Sequence, residues 1–158
     1  MPLNQYVYFA LSSEHTTAQE MAAVLGIEPD ETTVRASRVA EPPMPVCHRW
    51  KIACRAPGLR VDEQVAQILD RLRPHAARIA ELARRLNREG DGPSAVLQIV
   101  RYFNDDEYPD KADRSGPGLF GWHLGRDVLD FLDVTGAVLD IDEYDMTPEA
   151  PGGQPQEG

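Results

Sequence analysis

The sequence has few cysteines and no long apolar run, and both absences narrow the class of protein. Its two cysteines, Cys47 and Cys54, lie seven residues apart in one predicted strand. At about 3.3 Å per residue the strand separates them by about 23 Å, which is far beyond the reach of a disulfide. We therefore predict two independent thiols.

The missing apolar runs also bear on location. No apolar stretch approaches the length of about 20 residues that a membrane-spanning helix requires. The first five residues show neither the basic start nor the apolar segment of a signal peptide. We therefore expect a cytoplasmic protein without a membrane partner.

Short catalytic and metal-binding motifs are absent as well. The sequence contains no glycine-rich phosphate loop, no nucleophile elbow, no zinc-ligand spacing and no His-Glu-x-x-His. The acidic segment from Asn104 to Asp113 is dense in oxygen ligands, but it lacks the glycine and the final glutamate of an EF-hand loop. We assign no catalytic residue, no metal site and no cofactor, and we lean towards a non-enzymatic protein.

Basic residues are scarce in the last third of the chain, although the net charge of the whole is −10. Residues 1–103 contain 13 Lys and Arg against 12 Asp and Glu, whereas residues 104–149 contain three against 13. A region this acidic repels nucleic acid and favours a basic protein partner, and it also serves solubility. We expect a basic protein partner and no nucleic acid, with the oligomeric state left open.

Hydrophobic periodicity predicts an α+β domain. The predicted elements in chain order are a strand at 5–12, a helix ending at Gly26, a short strand at 32–39, a strand at 46–55, a helical region at 61–87 interrupted by Pro74, a strand at 95–103, and a helix and strand within 121–145. This is the order of a ferredoxin-like βαββαβ core extended by a further helix and strand. We expect the helices to lie on one face of a mainly antiparallel sheet.

The domain is predicted to span residues 1–146. Residues 147–158 are rich in Pro, Gly and Gln, which predicts a disordered tail. Residues 104–118 form a long predicted loop, and a loop of this length within a small domain is either functional or mobile.

The last helix and strand repeat a pattern found near the N-terminus. When Gly136 is set on Gly26, the apolar positions before the two glycines coincide. Each glycine is predicted to end its helix in the left-handed conformation. The repetition suggests a duplicated supersecondary unit.

Strand alternation divides charged from apolar side chains. In the strand at 46–55, Arg49 and Lys51 share a basic face, while His48 and Trp50 point to the core. The full set predicted for the open face of the sheet is Tyr6, Tyr8, Arg49, Lys51, Arg55, Asp140 and Asp142.

The closing acidic strand also admits a chemical interpretation. Asp140 and Asp142 lie on one side of the strand about 7 Å apart, a separation that suits a shared cation or an inverting carboxylate pair. No third ligand is evident, so surface charge or cross-strand pairing with Arg and Lys is favoured. Trp122 and His123 lie between glycines just before the last helix, where a functional side chain could be presented.

Several segments together resemble a known family. They are residues 24–29, the basic segment 33–38, the strand of Trp50, the helical block with Leu69, Leu72, Pro74 and Leu82, and the closing residues 136–144. The layout resembles the bacterial family described as domain of unknown function 4279, over residues 5–145. Members carry a glycine after the basic segment, where this chain has Ala36 and Ser37. The family is uncharacterised, so the resemblance implies a fold and transfers no activity or catalytic residue.

Two functional hypotheses follow, and a third is weaker. The first is a non-enzymatic protein-binding domain, of immunity or inhibitor type, that uses its acidic last third. The second is a small-molecule or anion-binding domain with a basic and aromatic site on the sheet, and the third is hydrolysis or isomerisation through His123 and the acidic strand. The candidate binding residues are Arg35, Arg38, Arg49, Lys51, Trp50, Trp122, His123, Asp140 and Asp142.

Overall fold

The computed structural model describes residues 3–105 and 120–149 of the chain. Its strands are β1 (Leu3–Ser13), β2 (Glu31–Thr33), β3 (His48–Cys54), β4 (Ala95–Phe103) and β5 (Val138–Asp145). Its α-helices are α1 (Ala18–Leu25), α2 (Val61–Leu72), α3 (Ala76–Glu89) and α4 (Arg126–Thr135). None of the helices in these ranges is long and apolar enough to cross a membrane.

The strands form one five-stranded sheet in the order β2-β3-β1-β4-β5. The pairs β2·β3, β3·β1 and β1·β4 are antiparallel, and β5 pairs with β4 in parallel. The prediction of an α+β fold with a mainly antiparallel sheet is therefore confirmed. β5, the acidic strand, lies at one edge of the sheet.

The core lies between one face of the sheet and the helices. Alternate residues of the three central strands supply its sheet side: Val7, Phe9, Leu11, Trp50, Ile52, Cys54, Ala95, Leu97 and Ile99. Every α-helix contributes to the same cluster, with Met21, Leu69, Leu82 and Phe131 among the buried side chains. The Phe9 and Phe131 rings meet edge to face at 5.6 Å.

Two glycines end helices as the sequence predicted. Gly26 and Gly136 adopt φ values of 69° and 66°, a left-handed conformation that other residues reach only with strain. The two preceding helices bury corresponding positions: Ala18 with Val128, Met21 with Phe131, and Ala22 with Leu132. The repeated pattern is therefore visible in the burial of both helices.

Strand boundaries differ from the prediction around the proline-rich segment. β2 ends at Thr33, and β3 begins only at His48, because Pro42, Pro43 and Pro45 cannot donate to a strand ladder. Val46, predicted to lie in the strand, has 74% of its surface exposed.

Pro74 interrupts the helical region as predicted, and it lies in a 3₁₀ turn, Arg73–His75, that joins α2 to α3. Most of the predicted loop at 104–118 and of the predicted tail at 147–158 lies outside the described residues.

Candidate functional site

The face of the sheet opposite the helices carries the charged side chains that the sequence assigned to it. The registers place Tyr6 and Tyr8 of β1 on this face, with Lys51 of β3 diagonal to Tyr8. Asp140 and Asp142 of β5 occupy the same face, beside Gln98 and Val100 of β4. The open face therefore has a basic side at β3 and an acidic side at β5.

Cations cover tyrosine rings on the basic side. The Lys51 ammonium lies 4.5 Å from the centre of the Tyr8 ring, and the Arg55 guanidinium carbon lies 4.0 Å from that of Tyr6. The two rings are stacked with their centres 6.2 Å apart. Arg55 also forms a 2.7 Å ion pair with Glu31. Its charge is therefore already matched.

Arg49 and Lys51 differ from Arg55 because neither forms an ion pair within the described residues, although Glu31 lies opposite Lys51 in the register of β2 and β3. Burial lowers the pKa of Lys51 below its usual value, and the neighbouring Arg49 guanidinium lowers it further. Two like charges two residues apart on one strand face repel each other. An anion between them would relieve that repulsion.

The acidic side has a different set of contacts. The Asp142 carboxylate accepts a 3.0 Å hydrogen bond from the side-chain amide of Gln98. Three interstrand spacings of about 4.8 Å separate β5 from β3, so the basic side chains of β3 lie about 14 Å away. Of the two alternatives favoured from the sequence, pairing of Asp140 and Asp142 with Arg or Lys across neighbouring strands is therefore not observed, and surface charge is the one that fits the geometry.

β5 is also the least buried strand of the sheet. Leu139 and Ile141 face the helix side, yet 38% and 41% of their surfaces are exposed. Tyr144 stacks on Tyr102 with ring centres 5.1 Å apart, and it remains 46% exposed. Over residues 139–142 the edge strand thus presents carboxylates on the open face and uncovered apolar side chains on the helix side.

The chain can now be compared with known proteins. Residues 3–146 match the family model described as Domain of unknown function (DUF4279). The chain belongs to this family. No curated protein and no solved structure matches it. The match covers all the strands and helices described here, so the resemblance found in the sequence is confirmed.

Trp50 does not contribute to a surface site in this DUF4279 domain. Its side chain is completely buried on the core face, and its indole N–H donates a 3.1 Å hydrogen bond to the carbonyl of Ile27. Arg49 and Lys51 lie on the opposite face of the same strand. The idea that Trp50 joins these cations in one receptor is therefore wrong.

Arg35 and Arg38 lie in the connection between β2 and β3 and are exposed. The Arg35 guanidinium donates to the carbonyl of Glu14 at 3.2 Å, and its backbone N–H donates to Nδ1 of His48 at 3.1 Å. These contacts hold the connection against the end of β1. They give His48 a structural role.

The structure places His123 on the helix side of the domain, next to α2. Its Nδ1 lies 4.0 Å from a carboxylate oxygen of Asp62, and its side chain is 73% exposed. Trp122 beside it packs partly buried against the core. His123 therefore meets Asp62 of α2, a carboxylate outside the acidic strand. Catalysis by His123 with the acidic strand stays a prediction. Among the residues described, no group of three or more potential ligands could hold a metal ion.

Sequence reasoning did not identify a groove between α1 and α3. Its volume is about 310 Å³, and its lining consists of Val24, Arg78, Glu81, Leu82, Arg85 and Arg88. The spacing of these arginines on one helix face was visible in the sequence. The wall formed by Val24 was not, because it depends on how α1 packs beside α3.

Proposed function

We propose that this DUF4279 protein is a non-enzymatic binding domain that recognises a basic protein partner through β5, in the manner of an immunity or inhibitor protein. The observation that carries the proposal is the position of β5. The most acidic strand of the chain forms an exposed edge of the sheet instead of a covered central strand.

Electrostatics supports this choice of surface. Asp140 has no ion pair within the described residues, and Asp142 is held by a neutral amide. Their charge therefore remains available to attract a basic surface over about a Debye length. Association driven in this way is fast at low salt and weakens as salt is added.

We further propose that the fold is a ferredoxin-like core extended by α4 and β5. The antiparallel order β2-β3-β1-β4 supports this topology, as does the chain order of strands and helices. A cytoplasmic location is part of the same proposal, and two free cysteines support it.

Affinity capture from host lysate with matched variants tests the proposed function. The Asp140→Asn/Asp142→Asn protein removes two charges from β5, whereas Asp130→Asn/Asp133→Asn removes two from the exposed side of α4. We expect a protein that is retained at low salt by the wild type and the α4 variant and is lost with the β5 variant. Equal retention by both variants would reject β5 as the binding surface.

A second candidate is binding of an anionic small molecule by Arg49 and Lys51. Their two neighbouring positive charges beside Tyr8, with no ion pair to either among the described residues, favour it. A thermal-shift titration with inorganic phosphate and nucleotides is the test, and a ligand at about ten times its Kd should raise Tm by roughly 3 °C. Arg49→Gln/Lys51→Gln should abolish the rise, whereas Arg84→Gln/Arg126→Gln, with the same loss of charge elsewhere, should keep it. No rise with any anion at millimolar concentration would count against this candidate.

A further inference from the structure

The outer edge of β5 has no partner strand among residues 3–105 and 120–149. Edge strands are usually protected against pairing by shortness, charged side chains, proline or a bulge. β5 has eight residues and no proline, and its charged side chains are all acidic, so they oppose pairing with another acidic strand and not with a basic one. Its outward backbone groups are therefore a template for another extended chain.

The side chains of β5 specify what such a chain would meet. On the helix side it would meet Leu139 and Ile141, which the helices leave partly uncovered, and then Glu143, which is already paired with Arg101. On the open face it would meet the carboxylates of Asp140 and Asp142. Because successive side chains of a strand point to opposite faces, an added strand complements both sides only if its residues alternate in character.

A second copy of this chain is a poor occupant of the edge. Pairing of two β5 strands would bring together two sets of acidic side chains: Asp140, Asp142, Glu143 and Asp145. Like charges on directly opposed strand positions are destabilising. The same carboxylates attract lysine and arginine, so the charge favours a different, basic chain.

We propose that the partner binds by strand addition, supplying an extended segment of alternating basic and apolar residues that pairs with β5. Basic side chains lie over Asp140 and Asp142, and apolar ones cover Leu139 and Ile141. Main-chain hydrogen bonds supply affinity and the alternation supplies specificity. This inference rests on the proposed function and makes it specific.

Synthetic peptides test the inference without knowledge of the natural partner. The probe is a fluorescent peptide of four Lys-Val repeats, compared with a peptide of the same composition in helical order and with the alternating peptide N-methylated at its internal amides. We expect the alternating peptide to bind about tenfold more tightly than either comparison peptide in fluorescence anisotropy. It should also slow amide exchange in β5.

Two variants of the protein test whether the apolar side of β5 contributes to peptide binding. They distinguish this contribution from the general effect of adding a lysine to the surface. Ile141 and Leu129 are each 41% exposed, the former on β5 and the latter on α4. Ile141→Lys should weaken binding of the alternating peptide about tenfold, and Leu129→Lys should leave it unchanged. Circular dichroism of both variants checks that they fold.

The possible failures are distinguishable. Equal binding of all three peptides, lost on neutralising Asp140 and Asp142, would overturn strand addition but leave the acidic strand as a binding surface. If no peptide binds, or if exchange slows elsewhere, strand addition is also wrong, and affinity capture with the β5 variant decides the proposed function independently. Slowed β5 exchange in the free protein at high concentration would point to a second copy and contradict the inference.

Discussion

Ala36 lies in the connection between β2 and β3 with a φ of 59°, in the left-handed region that glycine occupies without strain. Its N–H donates a 2.9 Å hydrogen bond to the carbonyl of Pro45, and the following N–H, from Ser37, bonds to Val34. These two hydrogen bonds fix the turn, although the side chain of Ala36 disfavours the left-handed conformation. This chain therefore forms the turn at an energetic cost.

Ala36→Gly should therefore stabilise the protein. Left-handed φ costs alanine about 1–2 kcal/mol, and the added freedom of glycine in the unfolded chain offsets part of the gain. We expect the free energy of unfolding to rise by about 0.5–1 kcal/mol in a urea titration. Ala66→Gly, on the exposed side of α2, should lower it by about 1 kcal/mol. A loss of stability with Ala36→Gly would contradict the assigned turn.

Individual residues show which positions could be predicted from the alternation of side chains along a strand. It placed Arg49, Lys51, Asp140 and Asp142 correctly on the open face, because a period of two is a local property of a strand. It could not show that His123 approaches Asp62, since that contact joins segments far apart in the chain.

Among the elements, β5 and the contacts that attach it to the sheet are the most informative. Arg101 of β4 is buried, and it binds Glu143 of β5 at 3.0 Å, Gln5 of β1 at 3.2 Å and the carbonyl of Phe120 at 3.1 Å. It thereby fixes β5 to the sheet and holds the start of the segment that leads into α4. An edge held in this way is preorganised, which would reduce the entropy lost if a partner binds there.

Helix and strand boundaries were predictable where local signals were strong. The end of α1 was predicted from Gly26, and the structure shows an equally local signal at its start, the capping box of Thr17 and Glu20. The order of strands was less accessible, because it depends on contacts between distant segments. The sequence could not show that the helices leave Leu139 and Ile141 uncovered, and this exposure carries the inference of strand addition.

At the scale of the whole molecule, the acidic charge and the free edge of the sheet coincide. The excess of carboxylates in the last third was readable from the sequence, and the fold places four of them on one edge strand. The cations Arg49 and Lys51 lie three strands away on the same open face. The domain therefore has two chemically distinct surfaces, and a bound partner would reveal which one is used.

Hydrogen–deuterium exchange tests the central claim most directly. It compares the free protein with the complex recovered by affinity capture at low salt. We predict that slowing on binding is greatest for the amides of β5, residues 138–145, with little change in β3. Unchanged exchange in β5, with slowing centred on β3 or on the groove between α1 and α3, would contradict the claim that the acidic edge strand is the binding surface.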